Sequence, residues 1–537
     1  MFLGMILAGG GTSPAWALMV TNVDCDQQPD NTLRFDCTIT TDAPADAWIR
    51  FGVDNPTDGG LCTTARATPT AMGGTLHAVT IYGLKPGEDY DWDAQARPAG
   101  GGPMVSYGTC GTLAAGALPS GGGSSELDNL GVTTATGAGT RRANNFLTHY
   151  GCYVSDGATD NGDIAAEAFV IVDADGAIVW YQEPGDDLTL DTTGDSRLQL
   201  EAISISRPLK HVLGIINHEI IVEYDLAGNL LTLLCRDDGS GYCPGTTTVP
   251  DATFDDYVHH DVQRVGNYIW ALTAEDVDVS DVLDCDANAA TTTFPIVVDG
   301  LVSFDTSGAT PVLDTEWDFT DVTGVTVDYS VATCPSPTGG YWADRLDGKD
   351  YFHTNSFWFD SASQWMFSIH DLDSIYSVDG DPASGTYNQL IWNLAADGSG
   401  DFSLGGGVYD DDFDTQHAAY WDPDGNLALF DNRVDVAGNS RGVIYEIDES
   451  LMTVESIEQY TVENVTGGNT DCPMGGNLVK MLSGNALTTC PQWGSGDKRA
   501  VINEFDGSDN AVWTVELECA TDYKPTGNAF RSYPNIW

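Results

Sequence analysis

The 537-residue sequence predicts an all-β protein, a six-bladed β-propeller preceded by a small β-sandwich. Three observations carry that prediction. Asp predominates among the 80 acidic residues and stands beside 60 Gly, a pairing that fills tight turns and is poor in helix interiors. Short apolar runs alternate with those turns along most of the chain. A two-strand element then recurs from about residue 141 to the end.

The charge excludes several classes. With 21 basic residues the formal net charge is −59, and a general nucleic-acid binder needs clustered Lys and Arg. Adhesion to anionic lipid is disfavoured for the same reason. At 42% hydrophobic and 10% aromatic the chain can build a large core, so its acidity is not the mark of disorder. The Asp excess fits a saline or surface-exposed setting, with net charge maintaining solubility.

Residues 1–17 read as a possible signal peptide, a short apolar stretch ending in Ala15-Trp16-Ala17 but without a basic start. No later stretch approaches the roughly 18 uninterrupted apolar residues that span a bilayer, so no membrane insertion is expected. The 12 Cys include close neighbours, Cys25 and Cys37, Cys235 and Cys243, Cys472 and Cys490, with no CxxC pair. They read as disulfides of an oxidising compartment, their pairing left open. The expected location is therefore outside the cytoplasm, periplasmic or extracellular.

Residues 18–115 hold period-two runs such as LRFDCTITT, AWIRFGV and LHAVTIYGL, the pattern of an antiparallel sandwich. Within them, HAVTIYGLKPGEDYDWDAQ from His77 resembles the corner of a fibronectin type III domain. Residues 116–140, opening AGALPSGGGSSELDNLG, read as a Gly/Ser-rich linker.

From 141 to 537 the recurring element is an apolar strand, an Asp- and Gly-containing turn, then a second strand often holding Trp. Clear copies are FVIVDADGAIVWY from Phe169, IIVEYDLAGNLLTL from Ile220 and VSFDTSGATPVLDTEW from Val302. Looser copies start at Ser374, Val443 and Val501. A partner hairpin turns on Gly-Asn at Gly266, Gly425 and Gly484. Two hairpins make a four-stranded unit, and six copies predict six blades. Turns such as DADGA from Asp173, DGSGD from Asp397 and DPDGN from Asp422 lack the twelve-residue calcium-loop frame and match ordinary hairpin turns.

Histidines mark the candidate site. His260 and His417 each open a strand running into a Gly-Asn turn, His353 opens a strand at the corresponding point of another blade, and His370 lies one strand later. Equivalent positions in successive blades converge on one end of the channel. A convergent imidazole cluster can bind a metal, supply a nucleophile or neutralise an oxyanion.

HTNSFWFD from His353, SIHDLDSIYSV, QHAAYWDPDGNLALFDN, SRGVIYEID and the terminal AFRSYPNIW together resemble the bacterial arylsulfate sulfotransferases. The resemblance covers about 141 to 537. It implies that His417 attacks a sulfuryl group and carries it as sulfohistidine, while His353 and His260 bind sulfate oxygens and manage protons. It implies aryl sulfates and phenols as partners, ping-pong kinetics, no nucleotide sulfate donor, no cofactor and no metal. The remaining candidates for substrate binding are His259, Asn355 and His370.

One departure stands out. His370, followed by Asp371, occupies the place of the family's Arg, and an imidazole lacks the permanent planar fork of a guanidinium. Arg441 and Arg531 are candidate substitutes, with a structural role as the alternative for both. A strongly negative field raises His pKa values, whereas His417 must be neutral to attack. Either the pKa values are split within the cluster, or this member has drifted in substrate or lost activity. Two other readings are a non-catalytic propeller binding an extracellular partner, and a propeller in which His260, His353 and His417 ligate copper or zinc.

Overall fold

The computed structural model describes residues 18–53, 66–119, 127, 130–154, 164–184, 200–237, 251–280, 293–325, 346, 349–359, 364–405, 412–434, 439–491, 499–519, 523–525 and 531–536. The segment read as a signal peptide, the stretch 120–126 and Cys243 lie outside them. Among the described residues secondary structure is almost entirely strand. The chain divides into two compact units, Met1–Ala117 and Leu118–Trp537.

In the first unit Val20–Gln28, Asn31–Thr41 and Leu76–Ile81 form one antiparallel sheet. Ala45–Val53, Arg66–Ala67, Asp89–Pro98, Val105–Ser106 and Gly111–Ala114 form the other. Cys25 and Cys37 sit directly opposite in register and are joined by a disulfide. At the Gly83–Tyr90 corner, the Tyr90 hydroxyl accepts the Lys85 amide at 2.7 Å while Leu84 is fully buried. A Tyr at a strand start bonding back to the chain upstream locks the turn.

Among the described residues, the second unit contains six sheets. Sheet I holds Asn145–Val154, Ile164–Asp173 and Ile178–Gln182, completed by the late segments Tyr523–Pro525 and Tyr533–Pro534. Sheet II holds Leu200–Ser206, His211–Ile216, Ile220–Asp225 and Leu230–Arg236; sheet III holds Tyr257–Val265, Tyr268–Ser280, Thr293–Asp305 and Val312–Asp318. Sheet IV holds Thr354–Phe359, Gln364–Ile369, Ser374–Asp379 and Leu390–Ala395; sheet V holds His417–Trp421, Leu427–Asp431, Arg441–Asp448 and Thr453–Thr461. Sheet VI holds Asn477–Lys480, Ala486–Pro491, Arg499–Phe505 and Ala511–Cys519, with Leu130–Thr136 at its outer edge.

That outer strand corrects the linker boundary. LGVTTAT is rich in β-branched residues, and it pairs along its whole length with Ala511–Cys519. The unit is thus fastened twice, by an early strand on sheet VI and by late strands on sheet I.

Apolar faces join each sheet to the next. Leu213, Ile215 and Ile221 of sheet II pack with Val262, Ile269 and Phe304 of sheet III. Trp317 of sheet III stacks on Phe367 of sheet IV, with ring centroids 5.2 Å apart. Met366 and Trp392 of sheet IV share a core with Leu429 and Tyr445 of sheet V, and Ala428 and Ile444 share one with Leu478 of sheet VI. Phe146 of sheet I meets Trp513 of sheet VI at 5.6 Å, and Phe169 meets Tyr224 of sheet II at 6.3 Å. Each sheet packs on its successor and the sixth on the first, a propeller-like closure.

The Asp-rich turns are explained by their own hydrogen bonds. Asp173 Oδ1 accepts the amides of Asp175 and Ala177 at 2.9 Å, and Asp422 Oδ1 accepts those of Asp424 and Asn426. Asp397 accepts the Ser399 amide at 2.8 Å. Side-chain carboxylates closing tight turns need no ion.

Candidate active site

First strands deliver the histidines. Each carries an irregularity there: register shifts fall between His259 and Val262, Thr354 and Ser356, and His417 and Tyr420. His260, His353 and Ala418 hold φ values of 49°, 49° and 55°. A bulge with a left-handed residue turns a side chain out of the sheet plane and marks a place where strain is tolerated for function.

The result is a chain of imidazoles. Ring centroids are separated by 5.0 Å from His259 to His260, 5.0 Å from His260 to His353, 5.1 Å from His353 to His370, and 5.3 Å from His370 to His417. All three histidines expected to be catalytic and both expected to bind substrate therefore come together. Side-chain exposure is 24% at His370 and 16% at His353, and His417 is 6% exposed, so exposure falls from His370 to the deeper His417.

His417 is fixed in one tautomer. Its Nδ1 lies 2.8 Å from Asn432 Oδ1 and 3.1 Å from the Thr415 carbonyl, both acceptors. Asn432 Nδ2 donates to the carbonyls of Cys472 and Gly475, which fixes the amide orientation. Nδ1 therefore bears the proton and Nε2 the lone pair. The Gly475 amide points at that Nε2 from 3.2 Å.

The loop behind is rigid. Ser440 Oγ donates to the Asn432 carbonyl and accepts the Cys472 amide, and a disulfide joins Cys472 to Cys490. Gly476 holds φ +101°, and a side chain there would meet Phe430 at 2.6 Å and the Thr489 carbonyl at 2.8 Å.

Charge is split along the chain of rings. Burial, reinforced by the neighbouring His370 and His353, holds His417 well below the usual imidazole range. Burial does the same for His260, with His353 and His259 adding to it. At His353 burial opposes protonation, but Asp350, 2.7 Å from Nδ1, prevails and pushes the ring up to about 9. Asp350 is brought there by the short strand Lys349–Asp350, which pairs with Ile296–Val297. Neutral His417 and cationic His353 thus coexist near neutral pH, the first of the two alternatives the sequence left open.

His259 donates through Nε2 to the Thr273 carbonyl at 3.1 Å, with Asp299 at 3.4 Å. Its Nδ1, 2.8 Å from His260 Nδ1, is then an acceptor, so His260 donates from Nδ1 and bears its lone pair on Nε2. His259 orients His260. His370 Nδ1 meets Asp371 Oδ1 at 2.6 Å.

Three sequence expectations change. Arg531 donates to Asp261 of sheet III at 2.6 Å and to the Asn355 carbonyl of sheet IV at 2.7 Å. Arg441 bonds buried Asp431 at 2.8 Å, Gln459 and the Asp412 carbonyl. Both guanidinium groups are consumed by buried carboxylates, so neither replaces the family Arg. Asn355 spends its amide on the Gln416 carbonyl and the Ala418 amide, fastening sheet IV to the backbone that carries His417.

Sequence reasoning passed over His218 and His149. His218 is buried with φ 62° and pairs with Glu201 at 3.0 Å. It sits in the second turn of sheet II as His370 does in sheet IV, and aligning IINHEII with SIHDLDSI finds it. His149, fully enclosed on sheet I, lowered by burial to about 4, sits within the field of Glu201 and Arg531. Among the described residues no three His, Cys, Asp or Glu side chains are grouped to hold a metal.

A match to the arylsulfotransferase (ASST) family model covers residues 158–526. No curated protein matches the chain. Among solved structures, a protein of unknown function from Bacteroides caccae is 9% identical, with 70% of this chain and 94% of that one covered and a TM-score of 0.38. The Cps50 (Swd1) β-propeller domain of Myceliophteria thermophila is 11% identical, covering 72% and 99% with a TM-score of 0.28. The family match spans the imidazole-bearing sheets, and the chain belongs to the arylsulfotransferase family.

Proposed function

We propose that the protein transfers a sulfuryl group from an aryl sulfate to a phenol through His417, without a nucleotide donor, cofactor or metal. The observation that carries this reading is the tautomer of His417: neutral, with Nδ1–H held by Asn432 and Nε2 left as the base-bearing edge. Membership of the arylsulfotransferase family supports small aryl molecules as substrates. The six sheets are read as six blades, and the first unit as a fibronectin type III-like spacer on an exported protein.

In the first half-reaction the Nε2 lone pair of His417 attacks sulfur, the bond from sulfur to the aryl oxygen breaks, and phenolate leaves with the electron pair. A phenolate is a good leaving group and needs little acid help. Charge on the sulfuryl oxygens is met by protonated His353, and the Gly475 amide is relocated from Nε2 to a sulfuryl oxygen. In the second half-reaction neutral His260 takes the proton of an incoming phenol through Nε2. The phenol oxygen attacks sulfur, and the S–N bond breaks to restore His417. His260, rather than the cationic His353, suits the base role.

The test is nitrophenol release from 4-nitrophenyl sulfate with and without added phenol. Phenol-dependent release lost in His417→Asn supports transfer. Release independent of an acceptor points to hydrolysis, and no release from folded protein favours a binding propeller.

A further inference from the structure

The strands that open with histidines run on, at their far ends, into a second feature. Gln263–Val265, Trp358–Phe359 and Tyr420–Trp421 line a cavity of about 680 Å³. The Arg531–Asp261 pair also lines this cavity, and Arg531 donates to the Asn355 carbonyl; none of the five histidines is in the lining. The volume suits a small organic ligand.

Its lining is aromatic with one available charge. Trp358 and Tyr420 meet at 60° with ring centroids 5.5 Å apart, and Trp421 and Tyr533 also line the cavity. Arg264 and Lys480 also line it, but they are spent on Glu223 and Glu458. Arg207 is exposed at the cavity and makes no ion pair or hydrogen bond among the described residues. Its charge is felt at the hydroxyls of Tyr420 and Tyr533 across the cavity. An unpaired Arg at a cavity is a distinctive placement in a chain of net charge −59. Ser356, 2% exposed, also lines the cavity, and its hydroxyl has no hydrogen-bond partner among the described residues.

We infer that this cavity binds an aromatic anion, an arene bearing a sulfonate, sulfate or carboxylate group. The ring lies against Trp358, Tyr420 and Trp421, the anionic group meets Arg207, and Ser356 takes a polar substituent at depth. This site is separate from the sulfuryl-transfer reading and stands if that reading fails.

The probe is 2-naphthalenesulfonate, titrated into the full chain by calorimetry and by quenching of Trp fluorescence. A saturable event is expected that survives His417→Asn and weakens at least about fivefold in Arg207→Ser, the loss of one charge-assisted contact. Arg207 is exposed, so its replacement leaves the core intact. An event indifferent to Arg207→Ser, one lost in His417→Asn, or no saturable event overturns the inference.

Discussion

Asn432 Oδ1 stands 2.8 Å from Nδ1 of His417, and its amide nitrogen is already given to the carbonyls of Cys472 and Gly475. The ring therefore presents Nε2, not Nδ1, as the atom that bears its lone pair. In the mechanism we propose, Asn432 is a positioning residue that acts through His417. Asn432→Ala is expected to lower kcat about 10- to 100-fold with KM nearly unchanged, the size of a lost orienting partner. Asn432→Asp would place a carboxylate on Nδ1, raise the His417 pKa and move the acid limb of the pH–rate profile upward. A merely structural Asn432 would leave that limb in place.

The pH dependence follows from the charge split. His417 is already neutral near pH 7, and His353 loses its proton only as the pH passes about 9. Sulfuryl transfer should be level through neutrality and fall on the alkaline side near 9. Asp350→Asn removes the partner that raises His353, so the alkaline limb should move to lower pH. The same raised pKa stabilises the fold below the unfolded value of 6.5, a contribution lost as the pH rises through about 9. Rate profiles of the two proteins check both limbs.

His149 works in the opposite direction. Burial lowers its pKa to about 4 against an unfolded value of 6.5, so the folded protein resists protonating it. Its contribution is fully present above 6.5 and is lost as the pH falls through 4. His149→Gln should flatten the thermal midpoint against pH across that window, read by calorimetry.

Arg531 should act on stability rather than on substrate affinity. Arg531→Met leaves the Asp261 carboxylate, 1% exposed, without its counter-charge, at a cost of about 3–5 kcal/mol. Denaturant melts read the loss, and the KM of the surviving protein should change little. A large rise in KM with an unchanged melt would return Arg531 to the substrate.

The Cys472–Cys490 disulfide closes a loop that holds both Asn432 and the Gly475 amide. Cross-linking a loop of this size is worth about 3 kcal/mol. The Cys472→Ser, Cys490→Ser double variant should melt lower and lose activity more steeply than its melt explains, since it also loosens the backing of His417.

Much of this was legible in the residues because repetition turns sequence position into spatial position. His260, His353 and His417 could be brought together from their place in successive hairpins, and they lie in one chain of rings with His370. The turns of Asp173 and Asp422 were legible from Asp-Gly chemistry alone. What the sequence concealed depends on partners far along the chain. Arg531 and Asp261 are separated by 270 positions, and nothing near either one names the other. His218 sits in a repeat whose first strand, Leu200–Ser206, carries no histidine, which hid its equivalence to His370. The strand Leu130–Thr136 was concealed by the Gly/Ser run before it, because its pairing partner lies almost 400 residues later.

The most direct test of the account is mass spectrometry of the protein quenched during turnover of 4-nitrophenyl sulfate without acceptor, with peptides mapped at a pH that preserves N-sulfation. The account predicts one added SO₃ on His417, discharged when phenol is supplied and absent from His417→Asn. Nitrophenol release with no sulfated His417, or release that persists in His417→Asn, would contradict it.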